Sequence, residues 1–192
     1  MKPFFTLLTV GILFLTSCKK DDDDKITTYP EENPLEKYLE LSKFNEKTSN
    51  VINSSNYEFG YKFKPKLKGK INAITFKIPD YATNIRVTLW NANDKTIVRT
   101  ITIPKADANI EVKQNIDPIA LDPSQEYLLT YNGNDWYERK RGDGSNTTYP
   151  IDAGNISITG YRWQSGTAQT YPNTSALYYY AGDLSIVFQQ TE

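Results

Sequence analysis

The second half of this chain and much of its middle alternate apolar and polar residues with a period of two. In the segment YEFGYKF (57–63), every second residue is a large aromatic one. A period of two places one set of side chains on each face of a strand, so it predicts a half-buried β-strand. Six further segments show the same period, namely KINAITFKI (70–78), NIRVTLW (84–90), TIVRTITI (96–103), EYLLTYN (126–132), NISITGYRW (155–163) and DLSIVFQ (183–189).

Short turn segments separate these predicted strands, and no helix-length pattern interrupts them after residue 57. The separating residues are Asp, Asn, Pro and Gly, which favour tight turns. They occur at 79–80, 91–94, 122–123 and 132–133. Short strands at this regular spacing predict an all-β fold, which we expect to be a two-sheet antiparallel sandwich of the jelly-roll type.

One helical pattern precedes the strands, in PLEKYLELSKFNE (34–46). Pro34 suits a first helical turn, and the apolar residues lie near helical spacing at Leu35, Tyr38, Leu39 and Leu41. The surrounding residues are polar. We therefore predict a polar tether over 18–50, either flexible or containing a short helix, and a sandwich domain over 51–192.

The composition favours β structure and removes several kinds of chemistry. The chain has 14 tyrosines, which suit pleated, half-buried surfaces, but no histidine and a single cysteine, Cys18. Imidazole catalysis, Ser–His or Cys–His pairs and Cys/His zinc sites are therefore excluded. The formal charge of −1 carries no basic stripe, so we expect no nucleic-acid partner. We expect no cofactor, with Ca²⁺ held by Asp135, Asp143 and Asp152 as the alternative.

The N-terminus has the features of an address signal. Lys2 precedes an apolar run over 3–15, which is shorter than the roughly 20 residues of a membrane-spanning helix. The run ends in LTSC (15–18), which resembles a bacterial lipobox. This resemblance implies removal of residues 1–17 and acylation of Cys18, and an anchor of several acyl chains holds a protein stably on a membrane. The alternative is an ordinary secretory signal with an incidental thiol.

Four consecutive aspartates follow in KKDDDDK (19–25). Their repulsion keeps the segment extended and solvated, as in a spacer, and DDDDK also looks like a protease-site tag. Lysine followed by acidic residues behind the cysteine resembles the export signal of Bacteroidetes-type surface lipoproteins. The resemblance implies a bacterial outer-membrane lipoprotein exposed on the cell surface, with the membrane as a partner through Cys18. The sequence leaves the oligomeric state open.

The order of the strands resembles an uncharacterised extracellular β-sandwich family, a domain of unknown function. The similarity covers about residues 57–132 and consists mainly of packing residues, which are Gly60, Phe63, Gly69, Ile71, Leu89, Trp90, Leu121, Tyr127 and Tyr131. Members tend to occur in secreted or surface proteins, sometimes beside carbohydrate-active modules. The resemblance therefore implies an accessory or binding role.

Two polar segments that carry aromatic residues, 132–150 and 157–175, form the candidate binding site. A sugar ring stacks its CH faces on aromatic rings while its hydroxyl groups bond to polar neighbours. We predict a carbohydrate ligand, and Trp136, Trp163 and one tyrosine of LYYYAG (177–182) would form a platform for it if they converge at one end of the sandwich. The alternative is that these side chains pack within the fold. The full candidate set is Trp136, Tyr137, Tyr149, Trp163 and Tyr171.

An enzyme without histidine would need a pair of carboxylates for glycoside hydrolysis. The separation of the two groups decides that mechanism, and the sequence does not give it for Glu126, Asp135, Glu138 and Asp152. We predict no catalytic residues and a non-catalytic binding or adhesion module. The alternatives are a structural or protein-binding component of the cell envelope or of an uptake assembly, and a small glycosidase.

Overall fold

The computed structural model describes residues 28–192. The predicted signal peptide over 1–17, the acylated Cys18 and the acidic segment at 19–25 lie outside the described residues. The described part contains one helix, α1 (Leu35–Ser42), and fourteen strands. The strands are β1 (Glu31–Glu32), β2 (Lys47–Val51), β3 (Tyr57–Pro65), β4 (Gly69–Lys77), β5 (Ala82–Asn91), β6 (Ile97–Ala106), β7 (Val112–Leu121), β8 (Tyr127–Gly133), β9 (Trp136–Lys140), β10 (Ile151–Ala153), β11 (Ile156–Ser165), β12 (Thr174–Ser175), β13 (Tyr179–Ala181) and β14 (Asp183–Gln190).

Three antiparallel sheets contain these strands. Sheet A has the order β1-β14-β4-β7, and sheet B has the order β10-β11-β3-β8-β5-β6 with β12 beside β11. The pairs β1·β14, β3·β8, β4·β7 and β5·β6 are nested in the sequence and alternate between sheets A and B. Nested antiparallel pairs shared between two facing sheets are the arrangement of a jelly roll. The predicted all-β, two-sheet antiparallel sandwich is therefore confirmed.

All seven predicted strands are present, as β3, β4, β5, β6, β8, β11 and β14. The alternation pattern missed β7, which is an edge strand of sheet A and contains polar residues and Pro118. Proline is tolerated there because an edge strand leaves one row of N–H groups unpaired. The other strands that it missed have only two to five residues, too few to establish a period.

The core between sheets A and B is built largely from aromatic rings. Phe59 of β3 and Phe76 of β4 both meet Tyr131 of β8 at steep angles, with ring centroids 4.4 and 4.8 Å apart. Edge-to-face contacts of this kind stabilise a core beyond the area that they bury. The many tyrosines of the sequence are thus mainly packing residues in this part of the fold.

Helix α1 packs on this core. Tyr38 is 1% exposed, and its ring contacts those of Phe44, Tyr61, Tyr149 and Tyr180. The helical interpretation of 34–46 is therefore confirmed over Leu35–Ser42. Within residues 28–192, β1 pairs with β14, α1 packs on the core and β2 pairs with β9, so elements that precede residue 51, the predicted start of the domain, also join the fold.

Sheet C has the order β13-β9-β2, with β2 before β3 in the chain and with β9 and β13 between β8 and β14. Strand β13 continues into β14 through Gly182, which has φ 90°. A Cβ atom at this position would lie 2.5 Å from the ring of Tyr131 and 2.9 Å from that of Phe59. Glycine therefore lets the chain pass closely over the core rings as it crosses from sheet C to sheet A.

A partly buried ion pair connects sheet C to sheet A. Arg139 of β9 donates from Nε and Nη2 to the two carboxylate oxygens of Asp183 at the start of β14, both at 2.6 Å. The hydrogen bonds and the charge of Asp183 raise the pKa of Arg139. A two-pronged pair of this kind sets the orientation as well as the distance of the two elements.

Candidate functional site

The aromatic pocket is a cavity of about 160 Å³ between sheet C and one end of the inner face of sheet B. Its base is formed by residues that are almost fully buried, which are Phe59, Tyr161 and Ala181. Its walls are half-buried side chains that reach the surface, namely Tyr57, Trp136, Glu138, Trp163 and Tyr179. The pocket therefore has a buried base and partly exposed aromatic walls that a ligand can reach.

Strand alternation places each wall residue. On β9, Trp136 and Glu138 are two positions apart and both line the pocket, because alternate side chains of a strand share a face. Ala181 of β13 lies directly opposite Glu138 in the paired strands. On the facing sheet, Trp163 of β11 is paired with Phe59 of β3. Four strands that are distant in sequence thus supply the pocket.

The aromatic rings of the pocket meet at steep angles. The ring of Trp136 is inclined by 82° to Tyr57 and by 68° to Phe59, with centroids 5.5 and 5.3 Å apart. The ring of Trp163 is inclined by 66° to Tyr57 at 5.9 Å. The rings therefore enclose the cavity on several sides and do not form one flat platform.

Glu138 is the charged side chain that lines the aromatic pocket. Its Oε1 accepts a hydrogen bond from Lys140 Nζ at 2.6 Å, and both side chains are partly exposed. Burial raises the pKa of Tyr179 to about 12 and that of Tyr161 well above its ordinary value. These two hydroxyl groups consequently stay neutral near pH 7, while Glu138 supplies a carboxylate.

The structure brings together the two tryptophans and one tyrosine on which this hypothesis depends, but they surround a pocket and do not form a platform. Trp136 and Trp163 line the same cavity, and Tyr179 is the residue of the run at 177–182 that joins them. Whether they bind a ligand stays a prediction. The sequence analysis missed Tyr57 as a wall residue, although it begins the alternating run of β3, and it named Glu138 only as a catalytic candidate.

The other three candidate residues lie outside the aromatic pocket. Tyr137 points to the opposite face of β9, where its hydroxyl donates to Asn109 Oδ1 at 2.6 Å. Tyr149 stacks on Tyr38, and their hydroxyl groups share a hydrogen bond of 2.6 Å. Tyr171 meets Trp90 on the outer face of sheet B, with centroids 5.8 Å apart. The structure therefore does not bring these three residues together with Trp136 and Trp163, and a role for them in binding stays a prediction.

A cover segment, residues 166–173, explains the position of Tyr171. Gln169 donates from Nε2 to the hydroxyl oxygens of Thr88 and Thr100 at 3.0 and 2.8 Å, which holds the segment against the outer face of sheet B. Beneath it, Glu58 is almost fully buried and accepts from Thr130 Oγ1 at 2.5 Å and Arg86 Nη2 at 2.8 Å. Tyr171 lies in this segment, and its ring packs against that of Trp90.

The candidate carboxylates are held by separate partners. Glu126 accepts from Lys62 and Thr159. Asp135 accepts from the backbone N–H of Asn53, and Asp152 pairs with Lys66. Asp143 accepts from Ser145, and these hydrogen bonds lower its pKa to about 2. Across residues 28–192, no group of three or more acidic side chains is placed to hold a metal ion. The described part also has no helix with the length and apolar character needed to cross a bilayer.

The strand order and the pocket define an all-β jelly-roll domain with an aromatic cavity at one end. The chain matches the family described as "Domain of unknown function (DUF4082)" over residues 44–181. Since this match covers more than half of the chain, the protein belongs to that family. The matched range includes every residue that lines the aromatic pocket, and it extends beyond the similarity at 57–132 on both sides. No curated protein matches the chain.

Proposed function

We propose that this protein is a non-catalytic binding module, anchored to the cell surface through an acylated Cys18, whose aromatic pocket binds carbohydrate. The observation that carries the proposal is the convergence of half-buried Trp136, Trp163, Tyr57 and Tyr179 around one carboxylate. Aromatic faces receive the CH groups of a sugar, and the carboxylate of Glu138 accepts hydrogen bonds from hydroxyl groups. Covering the exposed parts of these rings contributes about 25 cal/mol per Å² of apolar surface.

The size of the pocket favours a small group over a long chain. At roughly 30 Å³ for each water molecule, the cavity of about 160 Å³ has room for about five waters. A single sugar residue can place one face or one substituent there, with the rest of the ligand at the mouth. The proposed ligand is therefore recognised by a terminal residue.

The separate partners of the acidic residues support binding over hydrolysis. Glycoside hydrolysis needs two carboxyl groups that face each other about 5–5.5 or 6.5–9.5 Å apart across the substrate. Glu138 lines the aromatic pocket, whereas Glu126, Asp135 and Asp152 make their contacts elsewhere, with different partners. This arrangement favours a binding role.

A glycan array with matched variants tests carbohydrate binding. Trp136→Ala and Trp163→Ala each remove one wall, and we expect about tenfold weaker binding or more, because each deletes an aromatic contact worth about 1 kcal/mol beyond its buried area. Tyr81→Ala is the control, since Tyr81 is an exposed aromatic residue outside the pocket. A wild-type protein that binds no glycan, or equal losses in all three variants, would contradict the proposal.

Cell fractionation tests the proposed location. The wild-type protein is expected in the membrane fraction and to be cleaved when intact cells are treated with protease. Cys18→Ser removes the thiol that would be acylated, so we expect this variant in the soluble fraction. A wild-type protein that stays fully protected in intact cells would contradict surface exposure, and an unchanged distribution of the variant would contradict the lipid anchor.

A second candidate function, protein binding within the cell envelope, is favoured by the free edges of the sheets. Strands β6 and β7 end sheets B and A in the described part, and a groove of about 570 Å³ lies between them. Ile97 and Val98 at the start of β6 are exposed and precede the residues of β6 that line the groove, 99–102. Unpaired edges accept an added strand from a partner. Val98→Lys should abolish such a contact and leave glycan binding unchanged.

A further inference from the structure

We propose that the aromatic pocket selects a ligand that carries a positively charged ammonium group. The inference rests on the proposed function, because it names the class of ligand for the same pocket. An amino sugar is one source of such a group, and a choline-like head group is another. The chemistry that they share is a compact organic cation, and four features of the pocket support it.

The first feature is the arrangement of the rings. A neutral sugar stacks best on an open, flat ring face, whereas a cation gains from several rings around it, since each ring face carries partial negative charge. Trp136 and Trp163 are inclined by 82° and 66° to Tyr57. Rings that meet at such angles enclose a group on several sides, which suits a roughly spherical cation.

The second feature is volume. The cavity of about 160 Å³ is close in size to a cavity of roughly 150 Å³ that holds benzene, a molecule of six heavy atoms, and tetramethylammonium has five heavy atoms. A complete hexose with its hydroxyl groups has more than twice as many heavy atoms. The enclosed space therefore fits a substituent of the ammonium type better than it fits an entire sugar ring.

The third feature is charge. Glu138 gives the lining a negative charge, and Tyr57, Tyr161 and Tyr179 add phenol groups and no cation. Burial keeps the pKa of Tyr179 near 12, so its hydroxyl group is neutral at physiological pH. The lining is therefore acidic and aromatic, a combination that recognises organic cations, and the ammonium group beside it is that of Lys140, which pairs with Glu138.

The fourth feature is the residue that pairs with the carboxylate of Glu138 in the structure. An ammonium group of the chain, Lys140 Nζ, lies 2.6 Å from Glu138, which demonstrates that the carboxylate can accept such a group. The pair is partly exposed, with side-chain exposures of 34% and 28%, and partly exposed pairs contribute little to stability. A ligand ammonium group can therefore take the place of Lys140 at a small cost.

Calorimetric titration of the detergent-solubilised full-length protein tests the selectivity with four probes. Glucosamine, glucose and N-acetylglucosamine differ at one position, where they carry an ammonium, a hydroxyl and a neutral amide group. At a pH that keeps the amine protonated, glucosamine should bind about tenfold more tightly than the two neutral sugars. Tetramethylammonium should bind and should compete with glucosamine for the same site.

Two matched variants assign the effect to the pocket. Glu138→Gln keeps the shape of the side chain and an oxygen that accepts from hydroxyl groups but removes the charge, so the affinity for both cations should fall about tenfold, and by clearly more than the affinity for glucose. Glu126→Gln is the control, because Glu126 also pairs with a lysine at 2.6 Å but lies outside the pocket. A circular-dichroism melt of each variant establishes that it is folded.

The outcomes separate this inference from the proposed function. If the neutral sugars bind as tightly as glucosamine and Glu138→Gln changes nothing, the ammonium preference is overturned and carbohydrate binding stands. If only tetramethylammonium binds and Glu138→Gln weakens it, the ammonium chemistry stands and the source is not a sugar. If no probe binds the folded wild-type protein, both proposals are overturned.

Discussion

Two glycines in neighbouring strands of sheet B occupy opposite environments. At Gly60 of β3, an added Cβ atom would lie 1.8 Å from the carbonyl oxygen of Leu129. At Gly160 of β11, nothing lies within 4 Å of the same position. A backbone carbonyl in a paired strand cannot rotate aside as a flexible side chain can. The first glycine is therefore required by packing, and the second is not.

Alanine at each of these positions should consequently have different effects. We expect Gly60→Ala to lower the free energy of unfolding by about 3 kcal/mol, which at roughly 2–4 °C per kcal/mol shifts the melting temperature down by about 6–12 °C. Gly160→Ala should stay within about 0.5 kcal/mol of the wild type. Thermal unfolding followed by circular dichroism measures both, and equal melting temperatures would contradict this interpretation.

Helix α1, which is the one helix of the described part, lies outside the family match at 44–181. One of its faces contacts the core through Tyr38, while Leu41 on the other side is 52% exposed. The contact includes the rings of Tyr61 and Tyr180, which belong to different strands. The helix therefore stabilises the jelly roll although the shared domain begins after it.

A pair of alanine variants on α1 tests this role. Tyr38→Ala removes a buried ring and leaves the hydroxyl group of Tyr149 without its partner, so we expect a loss of about 3–5 kcal/mol in the free energy of unfolding. Leu41→Ala should change it by less than about 0.5 kcal/mol. Urea denaturation gives both values. A small loss in the Tyr38 variant would show that the helix is dispensable for the fold.

The strands differ in how clearly the sequence reveals them. In β3, the aromatic residues at every second position face the core, and this requires alternation along the strand although Glu58 on the other face is buried as well. The edge strand β7 has most of its side chains partly or fully exposed, so its residues need not alternate. Strands β12 and β13 are recognisable only by their partners.

At the scale of the whole molecule, buried tyrosines link stability to alkaline pH. Tyr38, Tyr61, Tyr131, Tyr161 and Tyr180 are each at most 2% exposed. Burial raises the pKa of Tyr61 to about 12, and those of the other four well above the ordinary value. The folded state therefore holds these protons more tightly than the unfolded state does.

The sign of the effect follows from linkage. Because the pKa is raised on folding, the contribution of these groups to stability is fully present below about pH 10, the ordinary tyrosine value. It is lost as the pH rises toward about 12, the value of folded Tyr61. We expect cooperative unfolding in this window, with phenolate absorbance and loss of circular dichroism in one transition. Ionisation of all tyrosines without loss of structure would contradict it.

The sequence alone was sufficient for seven of the fourteen strands of the described part and for the sandwich class, and it yielded a specific prediction for Cys18. Alternation and short motifs are local properties, since they depend on residues that are close in the chain. Two of the five candidate aromatic residues, Trp136 and Trp163, do line the aromatic pocket. Alternation also implies that Tyr137 and Trp136 lie on opposite faces of β9. It does not reveal which of these two faces lines the pocket.

The composition of the pocket depends on contacts between distant segments. Tyr57 and Tyr179 lie in β3 and β13, and they meet because the chain returns through Gly182 and because β9 pairs with β13. Tyr149 is covered by α1 through Tyr38, which no local pattern reveals. Pairing of distant strands depends on the free energy of the whole fold. For this reason the tertiary structure alone distinguishes the aromatic residues that line the pocket from those that pack in the fold.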